Sequence, residues 1–217
     1  MRFVVTAGPT REPIDPIRYL SNRSSGKMGY AVAEAALEAG HDAILISGPV
    51  SLQPPPGAKL ILVLTSDEMF EAVTKYSVSC DVLVMAAAVA DYKPVESSTR
   101  KIKKDNVPLL LELIPTRDIL IEVAKPNRNF LVVGFAAETE NLEQNAAKKL
   151  LEKSLDLIVA NDVSDPNIGM ESDENEVTIL FRNGEKKKIL RTSKKNIARE
   201  LVKIFANLCE KSLTKKM

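Results

Sequence analysis

The sequence predicts an α/β fold, an open, doubly wound parallel sheet with helices on both faces and a small β-hairpin added towards the C-terminus. Three observations carry this reading. Short β-branched, apolar runs alternate with helical stretches along most of the chain. Those runs are continuously hydrophobic instead of alternating, which marks strands covered on both faces. The chain has 217 residues and is 45% hydrophobic, enough to bury a sizeable core.

Residues 3–6, 43–47, 60–64, 82–86, 131–134 and 157–160 are the strand candidates. Between them, residues 27–39, 66–75, 142–153 and 193–209 have helical patterns. The first helix should stop at Gly40, because glycine accepts the left-handed conformation of a helix end. The second opens Ser66-Asp67-Glu68, with a hydroxyl to cap it and acids to meet its dipole. The third is rich in the strong helix formers Glu, Ala, Lys and Leu. The fourth follows Thr192-Ser193. Strands and helices in this alternation imply right-handed crossovers, and hence a Rossmann-like sheet. Residues 171–188 read as a hairpin, with residues 177–182 leading into Asn183-Gly184, a strong tight-turn signal. The whole chain, 1–217, is expected to form one nucleotide-binding domain. Two links exceed what a crossover needs: residues 8–26, and a polar, Lys-rich excursion over residues 91–113. Long links at the carboxyl ends of parallel strands are where such sheets bind ligands.

Bulk properties exclude several classes. Lys plus Arg number 30 against 29 acids, so no global field points to nucleic acid or a membrane surface. No apolar run approaches the roughly 20 residues of a membrane span. The opening residues lack the layout of a signal peptide, and the two distant cysteines, Cys80 and Cys209, show no metal spacing. A reducing cytoplasm is the expected compartment. The single histidine, His41, follows Gly40 at a helix end and reads as a turn residue. A serine-hydrolase or histidine–metal mechanism therefore lacks material.

Four stretches could carry chemistry. In the first, Thr6-Ala7-Gly8-Pro9-Thr10-Arg11-Glu12-Pro13 holds the chain in a defined, non-regular path, and Ser24-Ser25-Gly26-Lys27 opens a helix. Small residues at a helix N-terminus suit a phosphate, although an ordinary serine cap is equally compatible with the spacing. A Walker loop is excluded, because Gly26-Lys27 is followed by Met28. A dinucleotide fingerprint is disfavoured, because Gly26 and Gly29 are the only close glycine pair and the second strand ends without an acid. The second stretch, Ala86-Ala87-Ala88-Val89-Ala90-Asp91-Tyr92, ends a strand in small residues. They could admit a flat ring, or merely pack tightly. The third, Arg100-Lys101-Ile102-Lys103-Lys104, is a solvated face or a basic flap. The fourth, Gly134-Phe135-Ala136-Ala137-Glu138-Thr139, precedes Lys149 and Lys153, one turn apart on a helix face. These lysines are surface residues unless they face a polyphosphate.

Together these stretches resemble the phosphopantothenoylcysteine synthetase family, over nearly the whole chain and in the family's order. In bacteria that family often forms the second half of a fused decarboxylase–synthetase. The resemblance implies a ligase joining 4′-phosphopantothenate to cysteine with CTP, through an acyl-cytidylate. It implies Mg²⁺ arriving with the nucleotide, and a homodimer in which Asp15 and Arg18 contact substrate near the interface. Asn22 matches the residue that forms or processes the intermediate, and Lys101 matches a flap lysine that is both catalytic and nucleotide-binding. Ser24, Ser25, Gly26 and Lys27 would hold phosphates. Met85, Ala86, Ala87, Asp91, Phe135, Lys149 and Lys153 match nucleotide-binding positions, and Ala88 a substrate-binding one. Thr116-Arg117-Asp118-Ile119 aligns with an Asn-Pro-Asp-Ile-type nucleotide-contacting motif, with Thr116 and Arg117 as departures from it. Three alternatives on the same fold are an ATP-using ligase, a nucleotide- or flavin-binding regulator and a nicotinamide-dependent reductase.

Overall fold

The computed structural model describes residues 1–125, 128–163 and 171–214, the last four as backbone. The N-terminal half contains β1 (Arg2–Ala7), β2 (Arg11–Pro13), β3 (Tyr19–Ser21), α1 (Lys27–Glu38), β4 (Asp42–Ser47), β5 (Lys59–Leu62), α2 (Ser66–Ser77) and β6 (Val82–Met85). There follow β7 (Tyr92–Pro94), β8 (Leu113–Pro115), α3 (Ile119–Val123), β9 (Leu131–Glu138), α4 (Leu142–Glu152), β10 (Leu157–Asp162), β11 (Glu174–Phe181), β12 (Lys186–Ser193) and α5 (Lys194–Thr214).

One eight-stranded sheet has the order β12-β11-β10-β9-β6-β1-β4-β5. The six strands from β10 to β5 are parallel. Their order is that of a doubly wound dinucleotide-binding sheet, and it reverses direction between β1 and β6. A crevice opens at such a reversal, because the crossovers on either side leave to opposite faces. The expected C-terminal hairpin, β11–β12, is present and continues the main sheet antiparallel to β10, with Gly184 at φ 88° in its turn.

Continuous hydrophobicity follows from two cores. Val5, Leu45 and Val84 face α1 and α5, burying Val32, Ala36, Leu201 and Phe205. Their neighbours Val4, Ile46 and Leu83 face α2, α3 and α4, burying Met69, Val73, Ile119 and Leu150. Successive strand residues thus enter different cores, and both must be apolar.

The two long links are more regular than the sequence suggests. Residues 8–26 contain the β2–β3 ribbon, and the excursion contains the β7–β8 ribbon. The start of α2 is also built differently. Its N-cap is Thr65, whose hydroxyl accepts from the Glu68 N–H at 3.2 Å. The carboxylate of Glu12, 1% exposed, accepts from the Ser66 N–H at 2.8 Å. A buried acid at a helix N-terminus is stabilised by the helix dipole. His41 stacks on Phe3 with ring centroids 5.3 Å apart, consistent with a turn residue packed at the far end of the sheet.

Candidate functional site

A cavity of about 490 Å³ lies at the carboxyl ends of β6, β9 and β10 and the start of α1, at the reversal of strand order. Its floor is stitched together beyond the regular sheet. The Ala88 N–H donates to the Gly8 carbonyl at 2.9 Å, and the Thr10 N–H to the Ala88 carbonyl at 3.3 Å. Two buried hydroxyls hold the same strand end. Thr6 accepts from the Ala87 N–H at 3.1 Å, and Thr10 from the Ala90 N–H at 2.9 Å. Hydrogen bonding of this kind fixes backbone that small side chains alone would leave loose.

The start of α1 forms one wall. Its N-cap is Gly26 at φ 75°, and the hydroxyls of Ser24 and Ser25 accept from the Gly26 and Lys27 N–H groups at 3.4 and 3.5 Å. A Cβ at Gly26 would meet the Val50 methyl at 2.9 Å and the Gly8 nitrogen at 3.3 Å. One at Gly29 would meet the Ala7 Cβ at 2.6 Å. Gly8, Gly26 and Gly29 therefore take the three positions of a dinucleotide-type glycine turn, although 17 residues separate the first two. That assembly is invisible to a contiguous motif. The end of the second parallel strand, β4, carries Ser47, which is buried and accepts from the Tyr30 hydroxyl at 3.1 Å. No acid stands there for a ribose.

Most of the residues singled out in the sequence meet in this cavity. Asn22, Ser24, Ser25, Gly26 and Lys27 line one side. Met85, Ala86, Ala87, Ala88 and Asp91 line the floor, and Phe135, Lys149 and Lys153 the opposite side. Thr116, Arg117, Asp118 and Ile119 close the rim. Asn22 donates its amide to the Val89 carbonyl at 3.0 Å, which docks it on the end of β6. Thr116 donates its hydroxyl to the Ala90 carbonyl at 2.6 Å and its N–H to the Asp91 carbonyl at 2.9 Å. Arg117 stacks on Phe70 at 3.9 Å and pairs with Asp67 at 3.1 Å. These contacts pin the 116–119 turn despite the absence of the Asn-Pro pair.

Three of the expected residues lie outside the cavity lining. Asp15, Arg18 and Lys101 belong to a neighbouring junction. The buried Asp15 carboxylate accepts from Arg18 Nε at 2.9 Å and from the Ile102 N–H at 3.2 Å. Arg18 in turn donates to the Ile102 carbonyl at 2.6 Å. Asp15 and Arg18 thus grip the basic run next to Lys101 and do not line the cavity themselves. Arg18 first, then the backbone N–H groups of Ile17, Arg18 and Ile102, hold the Asp15 carboxyl well below the usual carboxylate range.

Charge enters the cavity from both helix layers. On the α4 side, Lys153 pairs with Asp118, and burial followed by the charge of Lys153 pushes the Lys149 ammonium down. On the α1 side, Lys27 pairs with Asp173 at 2.7 Å. Lys194, at the start of α5, also lines the cavity, and burial followed by the charge of Lys27 pushes it down to about 8. Lys194, Asn175 and Asn161 are lining residues that sequence reasoning missed. Lys194 stands in Ser193-Lys194-Lys195, which reads as a solvated helix start. Only the polar end of β10 at Asn161-Asp162 gave a usable signal, a strand terminating in side chains able to meet a ligand. Among the described residues, no group of three or more His, Cys, Asp or Glu could hold a metal ion, and no helix is long and apolar enough to cross a membrane.

Comparison with known proteins agrees with this geometry. The chain is 46% identical over 210 residues to the coenzyme A biosynthesis bifunctional protein CoaBC of Bacillus subtilis (strain 168), covering 96% of this chain and 52% of that protein. It is 46% identical over 191 residues to the protein of the same name in Escherichia coli (strain K12), covering 86% and 47% respectively. The chain thus spans about half the length of these curated relatives. Among solved structures, the C-terminal domain of the coenzyme A biosynthesis bifunctional protein CoaBC superposes with a TM-score of 0.83 at 40% identity, covering 97% of this chain and 96% of that one. The family model described as the DNA/pantothenate metabolism flavoprotein C-terminal domain matches residues 1–208, and the chain belongs to that family.

Proposed function

We propose that this chain is a phosphopantothenate–cysteine ligase. It joins 4′-phosphopantothenate to cysteine with CTP and gives 4′-phosphopantothenoylcysteine, CMP and pyrophosphate. One observation carries the reading: a cavity at the reversal of strand order that gathers lysines from both helix layers around a strand end made of alanines. Cationic walls suit a polyphosphate, and small residues admit a base. The relatives' role in coenzyme A biosynthesis supports the same assignment.

A carboxylate does not condense with an amine unaided, because its oxygen is a poor leaving group. In this reading the pantothenate carboxylate attacks the α-phosphorus of CTP. The bond to the bridging oxygen breaks, pyrophosphate leaves, and an acyl-cytidylate forms. The cysteine amine then attacks the acyl carbon, loses a proton and expels CMP. The protein contributes position and charge neutralisation. Lys149 and Lys153 offset phosphate charge, and Asn22 orients the acyl group with an uncharged amide. Lys101 closes over the site from the excursion held by Asp15 and Arg18. Backbone groups of Ala86, Ala87 and the 116–119 turn select a pyrimidine. Mg²⁺ would be carried in by the nucleotide and held largely by phosphates and water.

A homodimer completes the proposal. The excursion presents Val107, Leu109, Leu110 and Leu113 to solvent, with Leu110 90% exposed, and the β2–β3 ribbon presents Ile17 and Tyr19. Such an apolar strip suits burial against a second copy.

The test is pyrophosphate release with CTP or ATP, with and without phosphopantothenate and cysteine. Release that needs CTP and phosphopantothenate is expected, with the amide product appearing only when cysteine is added. Equal specificity constants for ATP would reject the base assignment, and no release with either nucleotide would reject the ligase.

A further inference from the structure

The corner of the cavity where α1 meets α5 has a composition that the ligase reading leaves unexplained. Lys194 is the first residue of α5 and is only 5% exposed, yet it lines the cavity. Lysine is seldom buried to this extent without a purpose. Its direction follows from helix packing. Lys195 pairs with Glu34 and Arg199 with Glu38, so α5 runs alongside α1 in the same sense. Side chains tilt towards the N-terminus of their own helix. Lys194 therefore points back towards the start of α1, where Lys27 and Gly26 stand.

Asn175 comes to the same corner by a separate route. The pairing of β11 with β12 shifts register between Asn175 and Val177. A bulge of this kind re-aims a side chain, and Asn175 is 5% exposed and lines the cavity. Its Oδ1 accepts from the Glu176 N–H at 2.9 Å, so its NH₂ group is the donor end. The corner thus combines two ammonium groups, an amide donor and the first N–H groups of α1, whose dipole also favours an anion. All of these match phosphate oxygens, and the Lys27 ammonium is held in place by the Asp173 carboxylate and the Glu171 carbonyl, each at 2.7 Å.

We propose that Lys194 and Asn175, together with Lys27 and the start of α1, form the subsite that binds the two outer phosphates of the nucleoside triphosphate and holds pyrophosphate as it leaves. This rests on the ligase reading for the identity of the nucleotide. The C-terminal hairpin and α5 then have a role in the reaction, since they carry a phosphate clamp to a crevice built by the N-terminal half. Burial and the neighbouring Lys27 both work against the ammonium form of Lys194. A phosphate tail in the corner offsets both.

The experiment measures calorimetric affinity for inorganic pyrophosphate, CTP and CMP, with melting temperature, for the wild-type chain, Lys194→Met and Lys194→Arg. Lys194→Met is expected to weaken pyrophosphate and CTP by about 10- to 100-fold, the range for a lost hydrogen bond to a charged group. CMP affinity should be unchanged and the melting temperature unchanged or higher, and Lys194→Arg should recover most of the loss. Unchanged pyrophosphate affinity in Lys194→Met would overturn the proposal. So would an equal loss for all three ligands with a fall in melting temperature, which marks a purely structural residue. The two readings fail separately. A wild-type chain that binds pyrophosphate through Lys194 but makes no amide product keeps the subsite and loses the ligase. A chain that makes product with an unchanged CTP KM in Lys194→Met keeps the ligase and loses the subsite.

Discussion

Lys194 also makes a prediction about pH. Lys27 from α1 and Asp173 ahead of β11 both act on it, the first disfavouring and the second favouring its charge. With burial the largest effect, it titrates at about 8 instead of 10.5. A lowered lysine loses its proton as pH rises through about 8. The pyrophosphate affinity lost in Lys194→Met should therefore be full near pH 7 and shrink by about pH 9, as measured by calorimetry on both proteins, since the ligand's own ionisation cancels in the comparison. The linkage to folding has the opposite sense. The unfolded chain binds this proton more tightly than the folded one, so the cost to stability is full below about 8 and disappears as pH rises towards 10.5. That is why Lys194→Met should not destabilise the fold at neutral pH. Asn22 makes a different demand. Its amide docks on the Val89 carbonyl beside the strand end. Asn22→Asp would set a carboxylate against that carbonyl, where an oxyanion develops in the proposed reaction. Product formation should fall by more than the roughly 1–3 kcal/mol of one lost hydrogen bond, while CTP binding survives. Acyl-cytidylate accumulating in a quenched, mass-analysed reaction supports this, and a wild-type rate of product formation excludes it.

At the scale of elements, the two ribbons decide what the long links do. The β2–β3 ribbon carries Asp15 and Arg18 to the excursion, and the pair binds both the N–H and the carbonyl of Ile102. The basic run is thereby anchored one residue from Lys101. Asp15→Asn removes the ion pair with Arg18 but keeps the side-chain shape. Faster hydrogen exchange at residues 100–104 and slower product formation are the expected outcomes; unchanged exchange would show that the excursion is held elsewhere. Because the folded pKa of Asp15 lies below its ordinary value, the anchor is in place above the usual carboxylate range and is lost only as pH falls into strong acid. The helices were more legible than the ribbons. The limits of α1 follow from Gly26 and Gly40, and those of α4 from its composition. Three-residue strands such as β2, β7 and β8 have no periodicity to read. They exist because each pairs with a partner that the fold brings near.

For the whole molecule, the exposed leucines of the excursion are the feature the monomer leaves unexplained. A two-fold dimer through this strip would bury Leu109, Leu110 and Leu113 and bring two gripped flaps together. Leu110→Lys places a charge in the centre of it. Sedimentation should show a dimer for the wild type and a monomer with lowered ligase activity for the variant. A wild-type chain that sediments as a fully active monomer would remove the dimer from the proposal.

The sequence by itself determined the layer architecture. Runs such as Phe3-Val4-Val5 must be buried on both sides, and the helices between them present one apolar face. It also marked most of the cavity, because small residues and charges at strand ends are conspicuous against continuous apolar runs. Tertiary structure alone decided three things. It joined Gly8 to Gly26 across the β2–β3 ribbon, so that a split glycine turn works as one. It paired Asp15 with Ile102, distant in sequence and separate from the cavity lining. It also brought Lys194 to Lys27 by laying α5 along α1. Each is a long-range juxtaposition set by strand order and helix packing. Local patterns reach only a few residues along the chain and do not contain that information.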